Sequence, residues 1–208
     1  MYKKSIFVKI TLFFLLIFFS NNIFAKKAAI IIDYDTQKTL FEVNADTLNF
    51  PASLTKMMTL YITFDYINKK KLSWNTKMQV SSIAAKRSCS CLPIKEGDYI
   101  SVEDAVMALI IKSANNVATV ISEHISGSER NFAKLMTKYA KIIGMDKTTF
   151  KNASGLPNRA QLTTARDMAT LSHALIKKFP KQYKLFSKKK FIWKGKTYKT
   201  HNRLMTSY

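Results

Sequence analysis

The apolar positions of the chain fall into a few segments whose spacing predicts their structure. Thr11 to Phe19 is a nearly unbroken apolar run that follows Lys3 and Lys4 and ends at Ser20-Asn21-Asn22. It is shorter than the roughly 20 residues of a comfortable bilayer span, and Ala25 stands where a signal peptidase would cut. Residues 1–25 are therefore expected to be a cleaved export signal. Ala28 to Ile32 is a short continuous apolar run, expected as a buried strand. Thr39-Leu40-Phe41-Glu42-Val43 reads as its returning partner across a polar turn. After Pro51, Leu54, Met57, Met58, Tyr61, Ile62 and Tyr66 recur at helical spacing, so a helix begins near Ala52 or Ser53.

Ser101-Val102-Glu103-Asp104 predicts a capped start for a helix over Ala105 to Ile111. Lys112-Ser113-Ala114-Asn115-Asn116 interrupts that pattern, which resumes from Val117 to Ile125. Asn131 to Ile143 is a further amphipathic segment closed by Gly144. Lys151 to Thr164 reads as a loop, Ala165 to Lys177 as the last helix, and Phe191-Ile192-Trp193 with Lys196-Thr197-Tyr198 as a small hairpin. Helices with a little antiparallel sheet give an α+β fold, one domain over 26–208.

Composition narrows the function classes. The chain has 208 residues, 47% of them hydrophobic, so it can bury a core and is not a disordered tail. Two cysteines exclude a disulfide scaffold and leave no metal-ligand cluster. Against 13 acidic residues stand 34 basic ones, 29 of them lysine, for a net charge of +21. Nucleic acid, an anionic envelope or a lysine-dressed surface all fit that balance. Export removes nucleic acid, and anionic envelope polymers become the natural partner. Cys89-Ser90-Cys91 leaves two readings open, plain thiols or a strained or intermolecular disulfide, since bridging across one residue distorts the bond.

Two short motifs carry candidate chemistry. Ser53-Leu54-Thr55-Lys56 is an S-x-x-K, which at a helix start puts the lysine amine on the serine's face, where it can take the hydroxyl proton. Chance gives about two such matches in a chain this rich in lysine, and two occur. The other, Ser187-Lys188-Lys189-Lys190, is a solvated charge run. A plain N-cap serine beside a snorkelling lysine is the competing reading of Ser53 and Lys56. Ser113-Ala114-Asn115 taken alone is a corner between two helices.

Taken together and in order, these segments resemble a family. Pro51-Ala52-Ser53-Leu54-Thr55-Lys56-Met57-Met58-Thr59, Ile110 to Asn116, Phe132-Ala133-Lys134-Leu135-Met136 and Gly144-Met145 are similar to serine D-Ala-D-Ala carboxypeptidases, the low-molecular-mass penicillin-binding proteins. Asn152-Ala153-Ser154-Gly155-Leu156-Pro157, Thr163 to Ala169 and His201-Asn202-Arg203-Leu204 extend the likeness over most of residues 28 to 204. The resemblance implies a β-lactamase/penicillin-binding-protein-like fold, with helices packed on an antiparallel sheet. It implies Ser53 as the acylated nucleophile, Lys56 as its base, Ser113 as a proton relay and Asn115 as a substrate-binding amide. Ser53 N–H would supply half an oxyanion hole. Peptidoglycan stem peptides would be the substrate and β-lactam antibiotics the inhibitors, with no cofactor and no metal.

The family's third motif, K-T-G, is absent. Lys196-Thr197-Tyr198 is a near miss, but it precedes the His201 segment that K-T-G should follow. The C-terminal strands, and the C-terminal region through which peripheral membrane contact would be made, are also expected to be missing, as in a truncated or split gene product. Two alternatives stand beside the carboxypeptidase: an inactive remnant or peptidoglycan-binding module, and a β-lactamase-like hydrolase. The second needs a deacylating glutamate that no segment supplies.

Overall fold

The computed structural model describes residues 27–88, 90–202 and Met205. The export signal expected over 1–25, Cys89, Arg203 and Leu204 lie outside the described residues.

The fold is organised around one helix. α1 (Thr55–Asn68) buries residues on every side, among them Met58, Leu60, Ile62 and Phe64, so it lacks a polar face. A helix apolar all round belongs inside a protein, and its neighbours supply the cover. These are α4 (Asn115–Ser126), α5 (Glu129–Ile142) and α6 (Ala165–Lys178). Phe179 seals one end, meeting Tyr61 edge-on at 5.0 Å and Phe64 at 5.8 Å between ring centroids. Below it Asp65, 1% exposed, accepts from Tyr139 Oη at 2.6 Å and pairs with Lys178 and Lys69, both at 2.7 Å. Burial pushes the Asp65 carboxyl up, yet the hydrogen bonds from Lys178, Lys69 and Tyr139 outweigh it and hold the group at about 2.

Among the described residues, three two-stranded antiparallel sheets frame the helices. β1 (Ala29–Ile32) pairs with β2 (Thr39–Val43), β3 (Lys77–Gln79) with β4 (Tyr99–Ser101), and β5 (Lys190–Trp193) with β6 (Lys196–Lys199). The middle pair and the short helix α2 (Ser82–Ala85), capped by Ser81, carry no periodic signal long enough to find from sequence. α7 (Pro180–Tyr183) follows α6 directly.

Two expectations are corrected. The helix predicted over Ala105 to Ile111 is α3 (Val102–Met107), capped by Ser101 Oγ on Asp104 N–H at 3.0 Å, and it continues as a π-helical turn over Ala108–Lys112. The wider turn delivers the chain into a left-handed residue, Ser113, with φ 56°. The strand expected to be buried is not: Ile31 is 55% exposed, and β2 is exposed throughout. Alternation along β1 puts Ile30 and Ile32 toward α6, while the opposite face has no covering element among the described residues.

Candidate active site

Ser53 lies in a 3₁₀ turn (Ala52–Leu54) that leads straight into α1. Ala52 is forced to φ 47°, a left-handed conformation that costs a residue with a Cβ about 1–2 kcal/mol. Gly155 explains the shape of this turn. Its own φ is 90°, and a Cβ built on it would fall 1.8 Å from the Ala52 carbonyl oxygen. Only glycine lets the two backbones meet there. Ser53 itself is exposed, and its N–H sits in the first turn, where helical N–H groups have no partner within the helix.

One helical turn on, Lys56 is 3% exposed. Its Nζ donates to Ser53 Oγ at 3.3 Å and to the Ser154 carbonyl at 2.6 Å. Burial pushes the ammonium down to about 8, with the nearby Cys91 pulling weakly the other way. A snorkelling lysine would keep its ordinary value and its water; this one does neither. Thr59, one turn further along α1, donates to the Ala153 carbonyl at 2.8 Å, so one loop clasps both residues. The loop holds its shape through Asn152, whose Oδ1 accepts from Ser154 N–H at 3.2 Å and Gly155 N–H at 2.7 Å.

Asn115 opens α4 across from this loop, 7% exposed. Its N–H donates to the Ser90 carbonyl at 2.8 Å and its Nδ2 to the Ser88 carbonyl at 3.2 Å. Ser90 Oγ donates to the Lys112 carbonyl at 2.5 Å, which closes the corner around half-buried Ser113. Cys91, whose Sγ donates to the Arg87 carbonyl at 3.1 Å, is the residue that acts electrostatically on Lys56. The structure thus joins Ser53 to Lys56 directly, while Asn115 is held by the carbonyls of Ser88 and Ser90, next in the chain to the Cys91 that acts on Lys56. Among the described residues, no hydrogen bond links Ser113 to Ser53 or Lys56. No group of His, Cys, Asp and Glu side chains arranged to hold a metal occurs among the described residues.

The arrangement is a hydroxyl at a helix start facing a desolvated amine, the layout of a serine acyl-transfer site. The sequence profile of the D-alanyl-D-alanine carboxypeptidase family matches residues 19–208. The chain belongs to that family. It is 36% identical over 187 residues to the D-alanyl-D-alanine carboxypeptidase DacC of Escherichia coli, covering 87% of this chain and 47% of that protein. The crystal structure of penicillin binding protein 5 from Haemophilus influenzae superposes with a TM-score of 0.83 at 30% identity, over 86% of this chain and 53% of that one. A penicillin-binding protein from Listeria monocytogenes, in its ampicillin-bound form, superposes with a TM-score of 0.79 at 30% identity, over 90% and 77%. These neighbours give the carboxypeptidase-family chain its β-lactamase-like fold. It spans about half the length of DacC.

Several of the site's supports carry no motif. The carbonyls of Ser154, Ser88 and Ser90 act through backbone, and any residue type offers one. Gly155 had a signal, a glycine inside a Ser-Gly-Leu-Pro loop, but nothing local says which backbone it must approach.

Proposed function

We propose that this chain provides the nucleophile-bearing part of an exported serine D-Ala-D-Ala carboxypeptidase that trims peptidoglycan stem peptides. The observation that carries the reading is the buried Lys56 amine, 3.3 Å from Ser53 Oγ and with its pKa lowered to about 8. Near neutral pH a useful fraction of that amine is neutral and can accept a proton. Ser53 Oγ attacks the carbonyl between the two D-alanines while its proton passes to Lys56 Nζ. The tetrahedral oxyanion forms beside Ser53 N–H at the helix start. Collapse breaks the peptide bond, and the leaving amine of the last D-alanine takes a proton relayed through Ser113. Asn115 holds the peptide backbone by its amide. Water then attacks the Ser53 ester and returns the free hydroxyl.

Export rests on residues 1–25. Among the described residues no helix is long and apolar enough to cross a membrane. The chain carries no K-T-G.

The test joins the chain to the K-T-G-bearing part of a relative and exposes it to a labelled penicillin. Ser53→Ala is expected to abolish labelling, and Lys56→Ala to slow it by about 10²–10⁴. The wild-type rate should climb with pH, reach half its ceiling near 8 as the Lys56 amine is freed, and then level off. Labelling that survives Ser53→Ala overturns the assignment.

A further inference from the structure

The two walls of the site stand on segments outside the Ser53–Lys56 and Ser113–Asn115 motifs. Ser154, whose carbonyl takes the Lys56 ammonium, follows Ala153, and Ala153 N–H donates to Glu129 Oε1 at 3.1 Å. The second carboxylate oxygen of Glu129 pairs with the Arg87 guanidinium. Arg87 begins the segment whose Ser88 and Ser90 carbonyls hold Asn115. Its Nε donates to Thr119 Oγ1 at 3.0 Å, one turn along α4 from Asn115. Both side chains are largely out of water, 28% and 14% exposed. Glu129 also sits in the first turn of α5, behind the Ser128 cap, where unsatisfied N–H groups favour a carboxylate.

We propose that Arg87 and Glu129 form a positioning clamp that sets the separation of the Lys56 wall and the Asn115 wall. One carboxylate spends an oxygen on each wall, so neither can shift without disturbing the other. Charge-assisted bonds in a partly desolvated place are about twice as strong as neutral ones. A displacement of about 1 Å at a reacting centre costs on the order of 10² in rate, which gives such a clamp its value. Neither residue touches the reacting atoms. The inference rests on Ser53, Lys56 and Asn115 being the machinery.

Amide hydrogen exchange on the full chain decides the clamp without needing activity. Arg87→Met is expected to speed exchange at both Ala153 and Asn115 by about tenfold or more, while Leu171 and Leu175 in α6 stay as they were. Glu129→Gln should do the same, the double variant should add nothing further, and Arg87→Lys should restore most of the protection. A response confined to the wall nearest each substitution overturns the proposal, and so does an equal rise throughout α6. In the penicillin-labelled fusion, Arg87→Met should slow acylation about tenfold or more with penicillin affinity held within about threefold. Unchanged acylation beside an active wild type overturns the link to catalysis. A wild type that takes no label at all counts against the Ser53 reading, while the exchange result still decides the clamp.

Discussion

The central helix and the first hairpin are equally apolar in sequence and opposite in fate. In α1, Met58, Ile62 and Phe64 are wholly buried, whereas in the hairpin Ile31, Leu40, Phe41 and Val43 are 43–61% exposed. On the face bearing Ala29, Ile31, Phe41 and Val43 the pairing register gathers an apolar surface. Beneath the other face a groove of about 760 Å³ runs between β1 and α6, lined by Ile30, Ile32, Met168 and Ile176. Arg166 ties the hairpin down through Glu42 and Asp46, both solvent-exposed pairs worth little. Burial is thus a property of neighbours: α1 has helices around it, whereas β2 is exposed throughout and, among the described residues, pairs with β1 and is touched from α6 by the Arg166–Glu42 pair. The surroundings of Lys56 owe nothing to the hairpin, since they come from the Ser53 turn, α1, Ser154 and Cys91.

The sharpest way to break this contrast is to truncate one aromatic ring in each region. Phe64→Ala should cost about 3–5 kcal/mol in denaturant unfolding, because the ring packs against Phe179 and Trp74 with no solvent to refill the space. Phe41→Ala should fall within about 0.5 kcal/mol of wild type. Equal losses would mean the hairpin is covered in solution.

Gly155→Ala probes the site rather than the core. The added methyl cannot coexist with the Ala52 carbonyl, so the Ser53 turn must move. Acylation of the fusion protein should fall by about 10² or more, with the unfolding midpoint much less affected than by Phe64→Ala.

Asp65 tests the polar rim of the core. Its carboxyl is held below the unfolded value, so its contribution is complete above about pH 4 and is lost as pH falls through about 2. The loss should amount to about 1–2 kcal/mol once the solvent around half-exposed Lys69 and Lys178 is allowed for. Asp65→Asn should flatten that acid limb in a pH series of unfolding curves, and an unchanged limb would remove Asp65 from the account.

The smallest effect is expected at Thr55. Its Oγ1 is buried with no hydrogen-bond partner among the described residues. Thr55→Val should therefore be neutral or stabilising by up to about 1 kcal/mol by thermal unfolding, and a clear loss would reveal a partner for the hydroxyl.

Much of this protein was legible before its structure. The spacing of Met57, Met58, Tyr61 and Ile62 marked α1, the Ser101 and Asp104 pair marked a capped helix start, and Ser53-x-x-Lys56 placed an amine on the serine's face. Each of these rests on residues a few positions apart, whose relation a helix fixes by its own geometry. The expectation of a buried first strand failed for the complementary reason: an apolar run states what a strand tolerates, and its cover must come from elsewhere. The decisive features of the site also came from elsewhere. The carbonyl on Lys56 lies 98 residues along the chain, the glycine that shapes the Ser53 turn one residue further, and the walls are joined across 42 residues by Arg87 and Glu129. A carbonyl is the same on every residue, and desolvation depends on the whole packed surround. Sequence could therefore supply the candidate serine and its amine, while only the tertiary structure could take away the water, and that loss is what lowers the amine's pKa.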